Sequence, residues 1–170
     1  MQKSKKINIC IIRNDRMGDM ILTLPVIKEI KNFIPNISIT VICSKLNFFL
    51  CKEAKFVDTV YIYDKSDDIV SRIKFFKKFK KISYDYVFNF SQDIETFLLL
   101  LLSNSVKKSC LLYLSRYKNP NFSKLFQRLL LKLFNINHMI IDRNYFFNNK
   151  INFHQTTMMY KLVKENLFIK

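Results

Sequence analysis

Hydrophobic residues fall into two alternating patterns along the chain. Short continuous apolar runs, beginning with INICII at 7–12, are typical of strands buried on both faces of a parallel sheet. Between these runs lie segments whose apolar residues repeat with the period of a helix, beginning with residues 19–34. The alternation predicts an α/β fold, a Rossmann-like parallel sheet with helices on both faces. We expect strand 7–12 to be central.

The predicted elements follow one another without a linker or an internal repeat, so we expect residues 1–170 to form a single domain. Pro25 lies inside a predicted helix, where a proline is unfavourable. It either occupies the first turn of a helix behind Thr23, or the helix begins at Asp19 and bends at the proline. The predicted strands are 7–12, 37–43, 58–63, 84–90, 107–114 and 138–142, and the predicted helices are 19–34, 45–54, 67–81, 93–104, 121–135 and 153–168.

One of these helices, 121–135, has a pronounced apolar stripe. Its members recur at the i, i+3, i+4 and i+7 spacing of an amphipathic helix, and we expect this stripe to face the core. The stripe comprises Phe122, Leu125, Phe126, Leu129, Leu130, Leu133 and Phe134.

The formal net charge of +16 is extreme for 170 residues, and it predicts attraction to nucleic acid, an anionic membrane surface or phosphorylated substrates. Part of it reflects a general bias toward Lys, Asn, Ile and Phe. The basic, aromatic run KFFKKFKK at 74–81 has three interpretations. It stacks on nucleic acid, or lies on anionic lipid, or is an amphipathic helix with Phe75, Phe76 and Phe79 in the core.

Cysteine and histidine usage gives no metal signature. The cysteines have no C-x-x-C pairing and lie in or beside apolar runs, so we expect buried free thiols in a reducing compartment. No secretory signal is visible, and the longest apolar run, 97–102, is far shorter than the roughly 20 residues of a membrane span. We expect a cytoplasmic protein with a peripheral membrane contact as an option. The four cysteines are Cys10, Cys43, Cys51 and Cys110, and the two histidines, His138 and His154, are isolated in the sequence.

The loop RNDRMGD at 13–19 follows the first predicted strand, where ligands bind in such sheets. Gly18 is the only glycine of the chain. Lacking a Cβ, it allows a sharp turn or the close approach of a ligand to the backbone. The following Asp19 either caps the next helix or performs chemistry in the crevice. The segment is neither a dinucleotide fingerprint nor a P-loop.

The segment IRNDRMGDMILTLPVIKEIKNFIP at 12–35 resembles the N-terminal signature of the family 9 glycosyltransferases, which are lipopolysaccharide heptosyltransferase-like enzymes. Less specific similarities continue in DTVYIYDK at 58–65, in YDYVFNFSQDIETFLLLLL at 84–102, and in FHQTTMMYKLVKENL at 153–167. Two features depart from the family. Asn89 stands where the family often has an acid, and the loop after the fifth strand is rich in lysine rather than glycine.

The resemblance implies the N-terminal, acceptor-side half of a GT-B glycosyltransferase, with the C-terminal nucleotide-sugar half absent from this chain. It implies that Asp19 is the general base of an inverting sugar transfer. Gly18 would leave room for the acceptor. Arg13 and Arg16 would hold acceptor phosphates or orient Asp19, or else they are solvated surface charges. Arg116 and Arg143, in the late loops, are further candidates for acceptor phosphates.

The same resemblance defines the expected partners. These are a nucleotide-sugar substrate, an anionic glycolipid or glycan acceptor, a separate C-terminal half and an anionic membrane surface. We expect no cofactor and no metal, and the resemblance disfavours nucleic acid. The alternative is a basic Rossmann-like module that binds an anionic membrane or nucleic acid without catalysis.

Overall fold

A computed structural model describes residues 6–91, 93–113, 129, 131–141 and 154–167. Within these residues, six strands form one sheet in the order β3-β2-β1-β4-β5-β6, and each neighbouring pair is parallel. The strands are β1 (Ile7–Ile12), β2 (Ile37–Cys43), β3 (Thr59–Ile62), β4 (Ser83–Asn89), β5 (Asn104–Tyr113) and β6 (Ile136–Ile141). The helices are α1 (Met17–Phe33), α2 (Phe48–Glu53), α3 (Ile69–Lys80), α4 (Ile94–Leu102) and α5 (Gln155–Leu167), with a 3-10 turn at Lys45–Asn47.

The predicted parallel sheet and the predicted central position of β1 are both confirmed. Successive side chains of a strand point to opposite faces, and both faces of β1 are covered. Ile9 and Ile11 join one core cluster with α1, α2 and α5, whereas Cys10 and Ile12 join a second cluster with α3 and α4. A strand enclosed on both sides has to be apolar throughout, which is why INICII contains only one polar residue.

Helix α1 begins two residues earlier than the sequence predicts. Arg16 is its N-cap and Met17 its first helical residue, so Pro25 lies well inside the helix rather than in its first turn. Pro25 is exposed, which keeps its ring out of the core. This earlier start changes the roles open to Gly18 and Asp19, because both residues are already helical.

The phenylalanines of the 74–81 run pack inward. Phe79 is buried, and Phe75 and Phe76 are partly buried against the same cluster. Their rings contact Tyr61, Tyr63 and Tyr84 at centroid distances of 5.2–6.4 Å. The core interpretation of these side chains is therefore confirmed, and they are not available to stack on bases or to enter a bilayer.

The prediction that the apolar stripe of helix 121–135 faces the core is wrong where the structure describes this segment. Residues 131–133 are helical, but Leu129, Leu133 and Phe134 are exposed, whereas Leu131, outside the stripe, is fully buried. The rest of the stripe lies outside the described residues.

All four cysteines are buried free thiols, as predicted. Burial raises the pKa of Cys110 to about 12, so this thiol remains protonated at neutral pH. In the part of the chain that the structure describes, none of the helices combines the length and the apolar character that a bilayer crossing requires.

Candidate active site

The loop after β1 lies at the switch point of the sheet. From β1 the chain proceeds outward to β2 and β3, and then returns to form β4 on the other side of β1. Ligands bind in open parallel sheets at such a reversal, beside the carboxyl ends of the strands. The loop is fixed to both neighbours: Arg13 N donates to the Ile42 carbonyl at 2.9 Å, and Asn14 N donates to Ser91 Oγ, also at 2.9 Å.

Arg13 is the structural centre of the site. Its side chain is 0% exposed, which is rare for an arginine and requires partners for its charge. Nη1 donates to the Phe90 carbonyl, and Nη2 lies 2.9 Å from Asp19 Oδ1. Nε lies 3.1 Å from Asp15 Oδ1, but the two atoms are not aligned for a hydrogen bond. The interpretation of Arg13 as a solvated surface charge is therefore wrong.

Asp19 is the third residue of α1 and does not cap the helix, because Arg16 occupies the N-cap position. A carboxylate in the first turn is favoured by the helix dipole. The side chain is 22% exposed, in contrast to the buried Arg13 with which it pairs. A carboxylate that is fixed on one side and open to solvent on the other can exchange a proton with a bound hydroxyl group.

Gly18 is the second residue of α1, and no glycine of the described chain has a positive φ. A Cβ built at Gly18 meets nothing within 4 Å. The predicted sharp turn at Gly18 is therefore wrong, and a side chain here would not displace Asp19. What the glycine does provide is open space above the first turn of α1, beside the carboxylate.

Gln155, the first residue of α5, completes the site, and sequence reasoning missed it. Its neighbours determine the orientation of the amide: the oxygen accepts from Arg13 Nη2 and from the Tyr113 hydroxyl at 3.0 Å, and the nitrogen faces Asp19 Oδ1 at 3.3 Å. Thr156 next to it donates to the Leu22 carbonyl at 3.0 Å, which fixes α5 against α1. The sequence signal is the FHQ start of the closing helix at 153–155, but a single glutamine there has no spacing that marks it as a site residue.

Two further polar residues of the loop belong to the site, the half-buried Asp15 and the buried Asn14. Burial raises the pKa of Asp15; the Arg13 charge opposes this effect, and the Asp19 and Asp93 carboxylates add to it. Both amide atoms of Asn14 are buried without a hydrogen-bond partner among the described residues. A buried amide without partners is costly unless something else satisfies it. Asn14 is therefore a candidate for contact with a bound hydroxyl group.

The remaining predicted site residues are Arg16, Arg116 and Arg143. Arg16 is exposed at the N-cap of α1. Arg116 and Arg143 lie outside the described residues. His154 is exposed beside Gln155. Where the structure describes the chain, no three His, Cys, Asp or Glu side chains come together as a metal site requires.

Three solved structures share this architecture. Two are Escherichia coli heptosyltransferase WaaC, one with ADP (18% identity, TM-score 0.67) and one with ADP-2-deoxy-2-fluoro heptose (18% identity, TM-score 0.71). The third is the family 9 glycosyl transferase from Veillonella parvula DSM 2008 (15% identity, TM-score 0.71). Each match covers 96% of this chain and 48%, 49% and 42% of the respective neighbour.

The chain has the fold of about the N-terminal half of a GT-B heptosyltransferase. The predicted resemblance is thereby confirmed for the fold, and the chain spans about half the length of the structures that it matches. No protein-family model matches the chain, and no curated protein sequence does. At 15–18% identity the similarity shows the fold alone, and a shared fold does not determine the chemistry of the site.

Proposed function

We propose that this chain is the acceptor-binding half of a glycosyltransferase. The enzyme would transfer a heptose-like sugar from a nucleotide-sugar to a lipopolysaccharide or another glycan acceptor. A second, C-terminal half would bind most of the nucleotide-sugar. The observation that carries the proposal is the Asp19 carboxylate at the switch point of a heptosyltransferase-like fold, fixed on one side by buried Arg13 and open to solvent on the other.

Asp19 is the general base of this proposal. In an inverting transfer, an acceptor oxygen attacks the anomeric carbon from the face opposite the nucleotide, and a carboxylate takes the proton that the oxygen loses. Arg13 and Gln155 both engage Oδ1, which assigns the proton to Oδ2. The two residues act as positioning groups, because holding a reacting carboxylate in one orientation removes motions that the transition state would otherwise have to freeze.

Acceptor binding is assigned to residues of the same loop. Arg16 is free to reach an acceptor phosphate, which an arginine can bind through two parallel hydrogen bonds. The buried Asn14 amide offers N–H donors and a carbonyl acceptor, the combination that a sugar hydroxyl needs. The open space at Gly18 lets an acceptor approach the backbone. Arg116 and Arg143 remain proposed phosphate ligands from the late loops.

Titration of the isolated chain with delipidated lipopolysaccharide oligosaccharides, followed by amide NMR, tests this assignment. We expect the acceptor to shift the resonances of residues 13–19 and of Gln155. The resonances of Asp58, at the opposite end of the sheet, serve as the internal control. Nucleoside diphosphate alone should shift the loop little, because its site belongs to the other half. Acceptors that leave residues 13–19 unmoved would contradict the proposal, as would a nucleotide that shifts them most strongly.

A further inference from the structure

Helix α3 has an outer face whose apolar residues belong to neither of the two core clusters. Its first two turns expose three aliphatic side chains, Ile69, Val70 and Ile73, at 65%, 59% and 50% of their surface. Isolated exposed aliphatics are ordinary, but three on the outer side of two consecutive turns form a patch. On the inner side, Phe75 and Phe79 already satisfy the core.

The second half of the same face is strongly basic. Residues 69–84 contain five lysines and one arginine and no acidic residue. Arg72 turns inward to pair with Glu95 at 2.6 Å. Lysines 74, 77, 78, 80 and 81 are all exposed, and Lys78 covers the Tyr61 ring at 5.2 Å. The aliphatic patch is therefore bordered by positive charge on its C-terminal side. On its N-terminal side lie Asp68, which caps α3, and Asp67, which pairs with Lys45.

The exposed apolar residues on the opposite face of the sheet lack this combination. Phe33, Leu46 and Phe49 are exposed on the opposite face of the sheet, but there Glu29 and Glu53 are interspersed with the lysines of α1 and α2. Helix α4, which packs beside α3, extends the apolar surface on the α3 side with Ile94, Leu98 and Leu102. The two faces of the sheet thus differ in their chemistry.

We propose that α3 docks this chain onto an anionic phospholipid surface. Ile69, Val70 and Ile73 enter the headgroup region, and the lysines contact lipid phosphates around them. An apolar patch with a lysine border, on a helix parallel to a surface, is the composition of interfacial helices. The phenylalanines that the sequence suggested for this contact take no part in it, because they pack in the core. The inference uses no part of the proposed catalytic site.

Vesicle flotation tests the docking. The complete chain is mixed with vesicles of phosphatidylcholine alone or of phosphatidylcholine with phosphatidylglycerol. We expect binding to the anionic vesicles only, and we expect it to weaken with added salt because exposed charges are screened within ~8 Å at physiological ionic strength. Equal binding to both vesicle types would overturn the proposal, and so would no binding to either.

Two variants separate the contributions of charge and insertion. Lys77→Gln with Lys80→Gln should weaken binding on the order of 20-fold, since each lysine near an anionic surface contributes about fivefold. Its matched control is Lys161→Gln with Lys164→Gln, two exposed lysines of α5 on the opposite face. The control should change binding by less than about twofold.

Ile69→Gln with Ile73→Gln keeps the charge and should weaken binding on the order of tenfold by removing the inserted side chains. Phe49→Gln, an exposed apolar residue on the opposite face, is its control and should bind like the wild type. Circular dichroism melts establish that each variant is folded. The proposal is wrong if the isoleucine variant binds vesicles as well as the wild type does. It is also wrong if single-stranded RNA binds the chain and displaces the vesicles in every variant alike. In either case α3 is a general surface for polyanions.

Discussion

Replacing Arg13 by Met probes the interaction on which the site depends. Met is similar in length to the aliphatic part of arginine, so it fills most of the buried space and removes the charge. The substitution leaves Asp15 and Asp19 without the cation that lies 3.1 and 2.9 Å from them, and it leaves the Phe90 carbonyl without its donor. Removal of one partner of a buried ion pair typically costs about 3–5 kcal/mol.

The pH dependence of this cost separates its two contributions. The lost carbonyl hydrogen bond contributes about 1–3 kcal/mol at any pH, whereas the penalty of unpaired carboxylates exists only while they are ionised. The pKa of Asp15 is already raised by burial, and without Arg13 it rises further. Protonation then removes the carboxylate penalty as pH falls, so the cost of Arg13→Met should decrease on acidification to the roughly 1–3 kcal/mol of the lost carbonyl hydrogen bond.

Urea denaturation of both proteins between neutral and acidic pH measures this difference. Arg16→Met is the matched control, because Arg16 lies three residues away and is exposed; it should change the free energy of unfolding by less than about 0.5 kcal/mol. A cost at Arg13 below about 1 kcal/mol at neutral pH, or a cost that does not decrease on acidification, would refute the buried ion-pair account.

Three smaller predictions concern Gly18, Gln155 and Asp58. Gly18→Ala should stabilise the chain by about 0.5–1 kcal/mol, since the residue is helical and its Cβ is unobstructed, and chemical denaturation checks this. Gln155→Leu should lower sugar transfer about tenfold by loosening the Asp19 carboxylate, with the donor KM unchanged. Burial would raise the pKa of Asp58, but Lys31 and a backbone N–H outweigh it and hold that pKa below its usual range. Its stabilisation is present above about pH 4 and lost below it, so Asp58→Asn should flatten the acid limb of the stability curve.

The regular part of the fold could be predicted from the sequence because the central strands β1 and β2 are buried on both faces. Continuous apolar runs such as 7–12 and 37–43 have one stable use in an α/β chain, as strands of a parallel sheet. Helix faces were harder to predict. In segments such as 121–135, where five leucines lie within nine residues, the sequence pattern does not determine which ones meet the core.

The site was only half predictable, for a different reason. The positions of Gly18 and Asp19 at the end of β1 followed from topology, but their roles depended on a helix start at Met17 that local pattern did not reveal. The burial of Arg13 depends on a carbonyl 77 residues away, at Phe90. Gln155 lies 136 residues from Asp19 along the chain. Contacts between such distant positions leave no periodic signal in one sequence.

The most direct test of the account is sugar transfer by Asp19→Asn. It is measured in the complete two-domain enzyme or in this chain combined with its nucleotide-sugar half. The stability of the variant should stay within about 1 kcal/mol of the wild type, because Asn still accepts from Arg13 and Asp15 still balances the charge. Turnover should fall by about two to four powers of ten, the usual contribution of a positioned general base. An Asp19→Asn enzyme that is folded and transfers sugar at the wild-type rate would contradict the account.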